Sequence, residues 1–413
     1  MMAMAHVDGG IPSVGRHEAL KTLRVSDICL AFYAISSIAF DDGALVTQLS
    51  RIAIVAGAFT ELGKNRFKLT GYHAWLIVFA SIVFLSRFWA FDVAAATSIF
   101  TTVFFNLVCL ACVAFLLYQD DRRIHLVMGC MVVAPLVLEV RVILAGGFLA
   151  FLSSRSVDTI SANTVGMFSA FAVFMAFAFY REKRSFCWMY LALINACIAL
   201  LSASRKAMMV LALVALLVVI FDSESRNPFG KATKVAVALA FLCLAVILVM
   251  NVPFLYELIG VRIEGMINGF FGVGTNVDSS TKTRMNLVAY GIEWFTEKPI
   301  LGYGGDNFRA LMAAYQPWQT AYYAHNNYVE LLVSYGLVGT AVYYFLYVQM
   351  AVKGFMSRKR LSFTGITMLC LLVGLIVMDY GMVEYYSRDA QLFIVLAWTV
   401  LVGCENDTTR DDV

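Results

Sequence analysis

Glu297-Lys-Pro-Ile-Leu-Gly-Tyr-Gly-Gly-Asp306, followed by Ala324-His-Asn-Asn-Tyr-Val-Glu-Leu-Leu332, lies in the longest polar interruption of a chain otherwise built from apolar runs. Hydrophobic residues make up 61% of the 413 and charged residues 14%, with a mean hydropathy of +0.77. A soluble domain is nearer half apolar and a quarter charged. The apolar runs approach twenty residues and are continuous rather than alternating, so they predict transmembrane helices and not a β-barrel. Residues 1–20 hold Asp8, Gly9, Gly10, Pro12, Arg16 and Glu18 and no apolar core, unlike a cleavable signal.

Twelve spans are expected, at 25–41, 43–61, 73–91, 93–118, 124–149, 164–180, 186–203, 206–221, 233–252, 326–349, 362–380 and 390–404. The fold class is therefore all-α and polytopic, with one large loop between the ninth and tenth helices. The expected divisions are an N-terminal tail 1–24, membrane helices over 25–252, the loop 253–325, helices over 326–404 and a tail 405–413. With the N-terminus inside, nineteen basic residues fall on the inner side, nine on the outer and three within spans. Basic residues favour the inner side, which puts both termini inside and loop 253–325 outside. The loop has an amphipathic stretch at 284–297, with Leu287, Val288, Ile292, Trp294 and Phe295 on its apolar face, suited to a bilayer surface. Pro299 and the glycines at 302, 304 and 305 end that helix and form a shape element, and a second short helix is expected over 306–315.

Polar residues inside so apolar a chain need a reason to be there. Arg205, in Leu-Ser-Ala-Ser-Arg-Lys, either snorkels to headgroups or grips a phosphate, and Lys206 beside it faces headgroups or the same anion. Arg284 opens the amphipathic stretch, as an ordinary loop arginine or an anion binder. His325 is the one histidine of five expected on the outer side, and it stands at the mouth of a hydrophobic helix. It is either structural or a base that takes a proton from a hydroxyl near neutral pH. Asn326 or Asn327 suits the helix cap, and Asn326 and Glu330 share a face if the helix opens at 326. Arg388-Asp389 stands at the outer start of the last span, within reach of the same cavity. Glu139 and Arg141 are expected to pair inside the fifth span. Cys109-x-x-Cys112 sits in an apolar run and reads as two small hydrophobes or, against that, a redox or metal pair. The outer acidic residues are scattered, without metal-ligand spacing.

The order of an outer Arg205 after Leu-Ser-Ala-Ser, Arg284 opening a helix with Trp294, then Lys-Pro-Ile-Leu-Gly-Tyr-Gly and His325-Asn-Asn-Tyr-Val-Glu-Leu-Leu-Val-Ser-Tyr-Gly-Leu-Val-Gly resembles the O-antigen ligase and polymerase superfamily of bacterial cell envelopes. The likeness is strongest over about 195–350, and Ser161-Ala-Asn163-Thr adds to it without the usual Pro-Asn. It implies a multi-pass enzyme of the bacterial inner membrane whose site faces the periplasm across the large loop. The implied donor is a glycan on undecaprenyl diphosphate, with no nucleotide sugar, cofactor or metal. The implied acceptor is a polysaccharide or the lipid A core, and the bilayer rather than nucleic acid is the other partner. Arg205 and Arg284 would hold the diphosphate, and His325 would activate or position the acceptor hydroxyl. Lys206, Asn326, Tyr328, Glu330 and Arg388 are the candidate substrate-binding residues. Loop 253–325 carries five basic and six acidic residues, which favours a polymerase over a ligase with its phosphate-rich acceptor. A flippase of lipid-linked oligosaccharide is the reading from another class, but no paired halves are visible.

Overall fold

The computed structural model describes residues 23–62, 68–147, 156–157, 160–222, 228–253, 256–261, 264 and 279–403. The tails 1–22 and 404–413, Arg155, Arg262 and Asp278 lie outside these residues. Fourteen α-helices are described: α1 Val25–Ala39, α2 Leu45–Leu62, α3 Gly71–Leu85, α4 Val93–Leu117, α5 Asp121–Gly146, α6 Ala162–Lys183, α7 Phe186–Leu201, α8 Arg205–Phe221, α9 Pro228–Asn251, α10 Ser279–Glu297, α11 Asn307–Tyr315, α12 Asn327–Ser357, α13 Phe363–Met378 and α14 Arg388–Val402. Twelve of them overlap the expected spans, and α10 and α11 are the two loop helices. Among the described residues, six stretches are by length and composition able to cross a membrane: Leu45–Leu62, Gly71–Phe88, Val93–Leu117, Asp121–Gly146, Ala162–Lys183 and Asn327–Ser357. Three shorter helices, α1, α7 and α13, are also apolar. A two-residue hairpin, with Ser156 opposite Ser161 and Val157 opposite Ile160, precedes α6.

Sequence sets the helix starts. Asp92, Asp120, Ser161, Ser204, Asn326 and Ser362 each accept a backbone N–H of the following first turn, which satisfies a donor the helix leaves unpaired. Helix α14 is buried on every side from Ala390 to Leu401, as its all-round apolar sequence requires. It packs against α4 and α13, while α6 packs against α5, α7 and α8. At one end of the bundle Arg123 is clamped by Asp27 at 2.9 Å and Glu61 at 3.1 Å, tying α5 to α1 and α2. Arg122, Arg181, Lys183 and Arg358 lie toward that same end by helix direction. The functional candidates gather at the other.

Two expectations need correction. Arg141 does not pair with Glu139. It reaches Asp41 at 3.3 Å and the carbonyl of Ala39, and Glu139 leaves one buried oxygen without a hydrogen-bond partner. The reason is helix phase: residues two apart point to different faces, whereas the corner after α1 lies within Arg141's reach. Nor is the apolar face of α10 simply a bilayer surface. Leu287 and Trp294 are buried against Tyr303, Phe308, Leu311, Val329 and Val333, and Ile292 is exposed.

The Lys-Pro-Ile-Leu-Gly-Tyr-Gly turn is the keystone of this end. Helix α12 breaks at Gly336, whose φ of 62° and ψ of −164° suit glycine. The turn fills the break with backbone hydrogen bonds: Tyr303 N–H to Val333 O at 2.8 Å, Gly304 N–H to Ser334 O at 2.9 Å and Leu337 N–H to Pro299 O at 2.8 Å. A Cβ on Gly336 would stand 2.3 Å from the carbonyl oxygen of Ile300. Gly336→Ala is therefore expected to cost about 3 kcal/mol or more, from strain and lost backbone pairing. Thermal unfolding in detergent reads this as a lowered Tm, and an unchanged Tm refutes the role of the break.

Candidate active site

The short connection 202–204 brings the starts of α6 and α8 together. Ser204 Oγ donates to Asn163 Oδ1 at 3.0 Å, and Gly166 leaves no room for a side chain against Ser202 and Ser204. Arg205 and Lys206 are then the first two residues of α8. Arg284 comes from α10, and His325 stands two residues before α12. The structure brings Arg205, Lys206, Arg284 and His325 to the wall of one cavity. Its remaining lining is mostly apolar, from Met209, Met285, Val288, Val377 and Met378. Lys206, Arg284 and His325 also line a second, more polar cavity with Tyr323, Glu384 and Asp389. Three of the residues read from sequence thus form a partition between an apolar and a polar space.

His325 is held by its backbone and by close ring contact. Its φ is 52°, in a region that non-glycine residues rarely occupy. The imidazole lies against the Tyr323 ring with centroids 3.9 Å apart, and the Arg309 guanidinium covers that ring at 5.2 Å. Burial, and then the positive charges of Arg284, Lys206 and Arg309, pull its pKa down to about 4. The neutral imidazole, a proton acceptor, is therefore the form present at neutral pH.

Other candidates occupy different places. Asn326 caps α12 through Val329 N–H at 3.2 Å. The helix opens at Asn327, not Asn326, so Asn326 is the cap and not a helical partner of Glu330. Tyr328 donates its hydroxyl to Ile376 O at 2.6 Å and stacks on Tyr344. Glu330 is buried, and one of its oxygens accepts Ala324 N–H at 2.9 Å, which fixes the backbone just before His325. Among the described residues these three line neither cavity, and each has a polar atom bound to a backbone group, though the second Glu330 oxygen is buried without a hydrogen-bond partner. Arg388 lines a third cavity beyond the polar one, while its neighbour Asp389 lines both.

Reading the sequence missed Glu384 and Asn327's role behind it. Asn327 donates to Asp379 Oδ2 at 3.1 Å and Tyr344 Oη at 3.0 Å, and accepts the N–H groups of Glu384 at 3.0 Å and Tyr385 at 3.3 Å. One side chain so pins the connection between α13 and α14 against the start of α12. Burial, and then repulsion from Asp389 and Asp379, raises the Glu384 carboxyl well above the ordinary range, opposed by Lys206. The signal for it was a polar stretch between two apolar runs, Glu384-Tyr-Tyr-Ser-Arg-Asp389.

Residues 189–344 match the O-antigen ligase family model. The chain carries an O-antigen ligase domain. With its multiple apolar helices, this indicates a multi-pass bacterial membrane protein. The O-antigen ligase domain spans Arg205, Lys206, Arg284 and His325, and ends before Glu384 and Arg388. The family acts on lipid-linked glycans and polysaccharides in the membrane, by ligase or polymerase activity. A search of curated proteins finds no match to the chain.

Proposed function

We propose that the chain is a glycosyltransferase that moves a glycan from undecaprenyl diphosphate to an acceptor hydroxyl at the outer face of the inner membrane. The observation that carries this reading is the partition of Lys206, Arg284 and His325 between an apolar and a polar cavity. The apolar cavity suits the first isoprene units of the lipid, and Arg205, Lys206 and Arg284 suit the diphosphate. The acceptor oxygen attacks the anomeric carbon as the bond from that carbon to the phosphate oxygen breaks. The electron pair leaves with the lipid diphosphate, whose growing charge the three cations stabilise. His325 takes the acceptor proton. These residues suffice for the chemistry without a metal or cofactor.

The excess of basic residues on the opposite end supports an outer, periplasmic site. The acceptor is read as another lipid-linked repeat unit, making the enzyme a surface-polysaccharide polymerase. The near-neutral charge of loop 253–325 favours that over a phosphate-rich lipid A core. Deleting the protein and comparing cell-surface glycans tests this. Loss of chain length with single units still attached supports the polymerase. Loss of all attachment, with long lipid-linked chains accumulating, replaces it with a ligase. Single units trapped on the cytoplasmic face would replace both with a flippase.

A further inference from the structure

We propose that the third cavity, between the α1–α2 corner and the start of α14, is a binding subsite for an uncharged, hydroxyl-rich sugar ring of the glycan being joined. This rests on the transferase reading above. The cavity adjoins the polar one beside His325, and Thr164, Tyr386, Ser387 and Asp389 line both. Its other polar walls are Asp41, Asp42, Arg141 and Arg388.

These groups form a cluster of hydrogen-bonding atoms held by ion pairs. Arg141 holds Asp41 Oδ2 at 3.3 Å, and Arg51 holds Asp42 Oδ1 at 2.8 Å. Among the described ion pairs Asp41 engages through Oδ2 and Asp42 through Oδ1, which leaves each carboxylate a second oxygen for a ligand. Arg388 is 5% exposed, and its Nη1 has no hydrogen-bond partner. That nitrogen lies 3.5 Å from Asp42 Oδ1, an ion pair without a hydrogen bond. A buried guanidinium nitrogen left in this state costs free energy until an acceptor arrives. A sugar hydroxyl supplies one: its oxygen accepts from Arg388 while its proton goes to an aspartate. Phe40 and Tyr386 provide apolar surface for the C–H face of a ring. Three carboxylates against two guanidiniums in the lining disfavour an acidic sugar. All of these residues lie outside 189–344, so the glycan contact is built by parts of the chain other than those around the diphosphate.

The ring belongs either to the donor glycan or to the acceptor glycan, and kinetics distinguish them. Purified full-length Asp42→Asn and Asp41→Asn are compared with wild type, varying lipid-diphosphate-linked donor and glycan acceptor separately. The expected result is a rise of about tenfold in KM for one substrate, with kcat held within about twofold. A rise for the acceptor places the acceptor there, and a rise for the donor places the donor. Unchanged KM for both, or a fall in kcat alone, overturns the subsite. If one variant fails to fold, the other decides, since both side chains are about half exposed. Wild-type protein inactive on every lipid-linked donor would sink the transferase reading instead. The subsite then stands or falls on equilibrium binding of the free glycan, and equal affinities for wild type and Asp42→Asn overturn it.

Discussion

His325→Ala is expected to lower kcat by about 10²–10⁴-fold while the protein still inserts and folds. Among the described residues at the shared wall of the two cavities, the imidazole is the group that is neutral and able to take a proton across the whole neutral range. Its setting also sets the pH dependence. The ordinary value is 6.5, and burial and three nearby cations bring it to about 4. Neutral imidazole then persists well into the acid range, and kcat/KM limited by this group stays flat down to about pH 5 before falling. The same depression makes protonation cost more in the folded than in the unfolded chain. Stability from this source is full above pH 6.5 and declines as pH drops toward 4. A bound diphosphate offsets the cations, so the acid limb of kcat should lie above that of kcat/KM. Full turnover by His325→Ala with a lipid-linked donor would remove it from the mechanism. An acid limb of kcat/KM at an ordinary imidazole value would remove the electrostatic account.

Arg284→Ala is expected to lose about 10²–10³-fold in kcat/KM, through a weaker hold on the leaving diphosphate. The guanidinium lines both cavities and is one of the charges acting on His325. Its removal should also move the acid limb of kcat/KM upward, which a purely structural arginine would not do. Arg284→Lys keeps the charge but loses the planar fork, so it should restore the pH profile and only part of the rate. Wild-type kcat/KM for Arg284→Ala would exclude the residue from the site.

Much of this protein is legible because a membrane tolerates few departures from apolar helix. Every continuous apolar run over described residues became a helix, and polar residues stood out against them. Arg205, Arg284 and His325 were visible for that reason. The three positions beside His325 were harder. Asn326, Tyr328 and Glu330 are polar at a helix mouth whether they face a ligand or the protein, and only coordinates show that backbone groups hold all three. Glu384 escaped notice because its importance comes from Asn327, far away in sequence, which draws its connection against α12. The third cavity was invisible for the same reason. Its aspartates and Arg388 are neighbours only because α14 packs beside the corner that follows α1.

The backbone exchange at Gly336 has a mechanical meaning. Peptide hydrogen bonds weld residues 299–304 to the broken helix, and Leu287 and Trp294 press α10 onto its outer turns. Arg284 and His325 are thus mounted on a single lever, and their spacing is preserved when that lever tilts. Arg205 and Lys206 sit on a different body, α8, so a tilt would open the gap between these two cations and the Arg284–His325 pair and leave each pair intact.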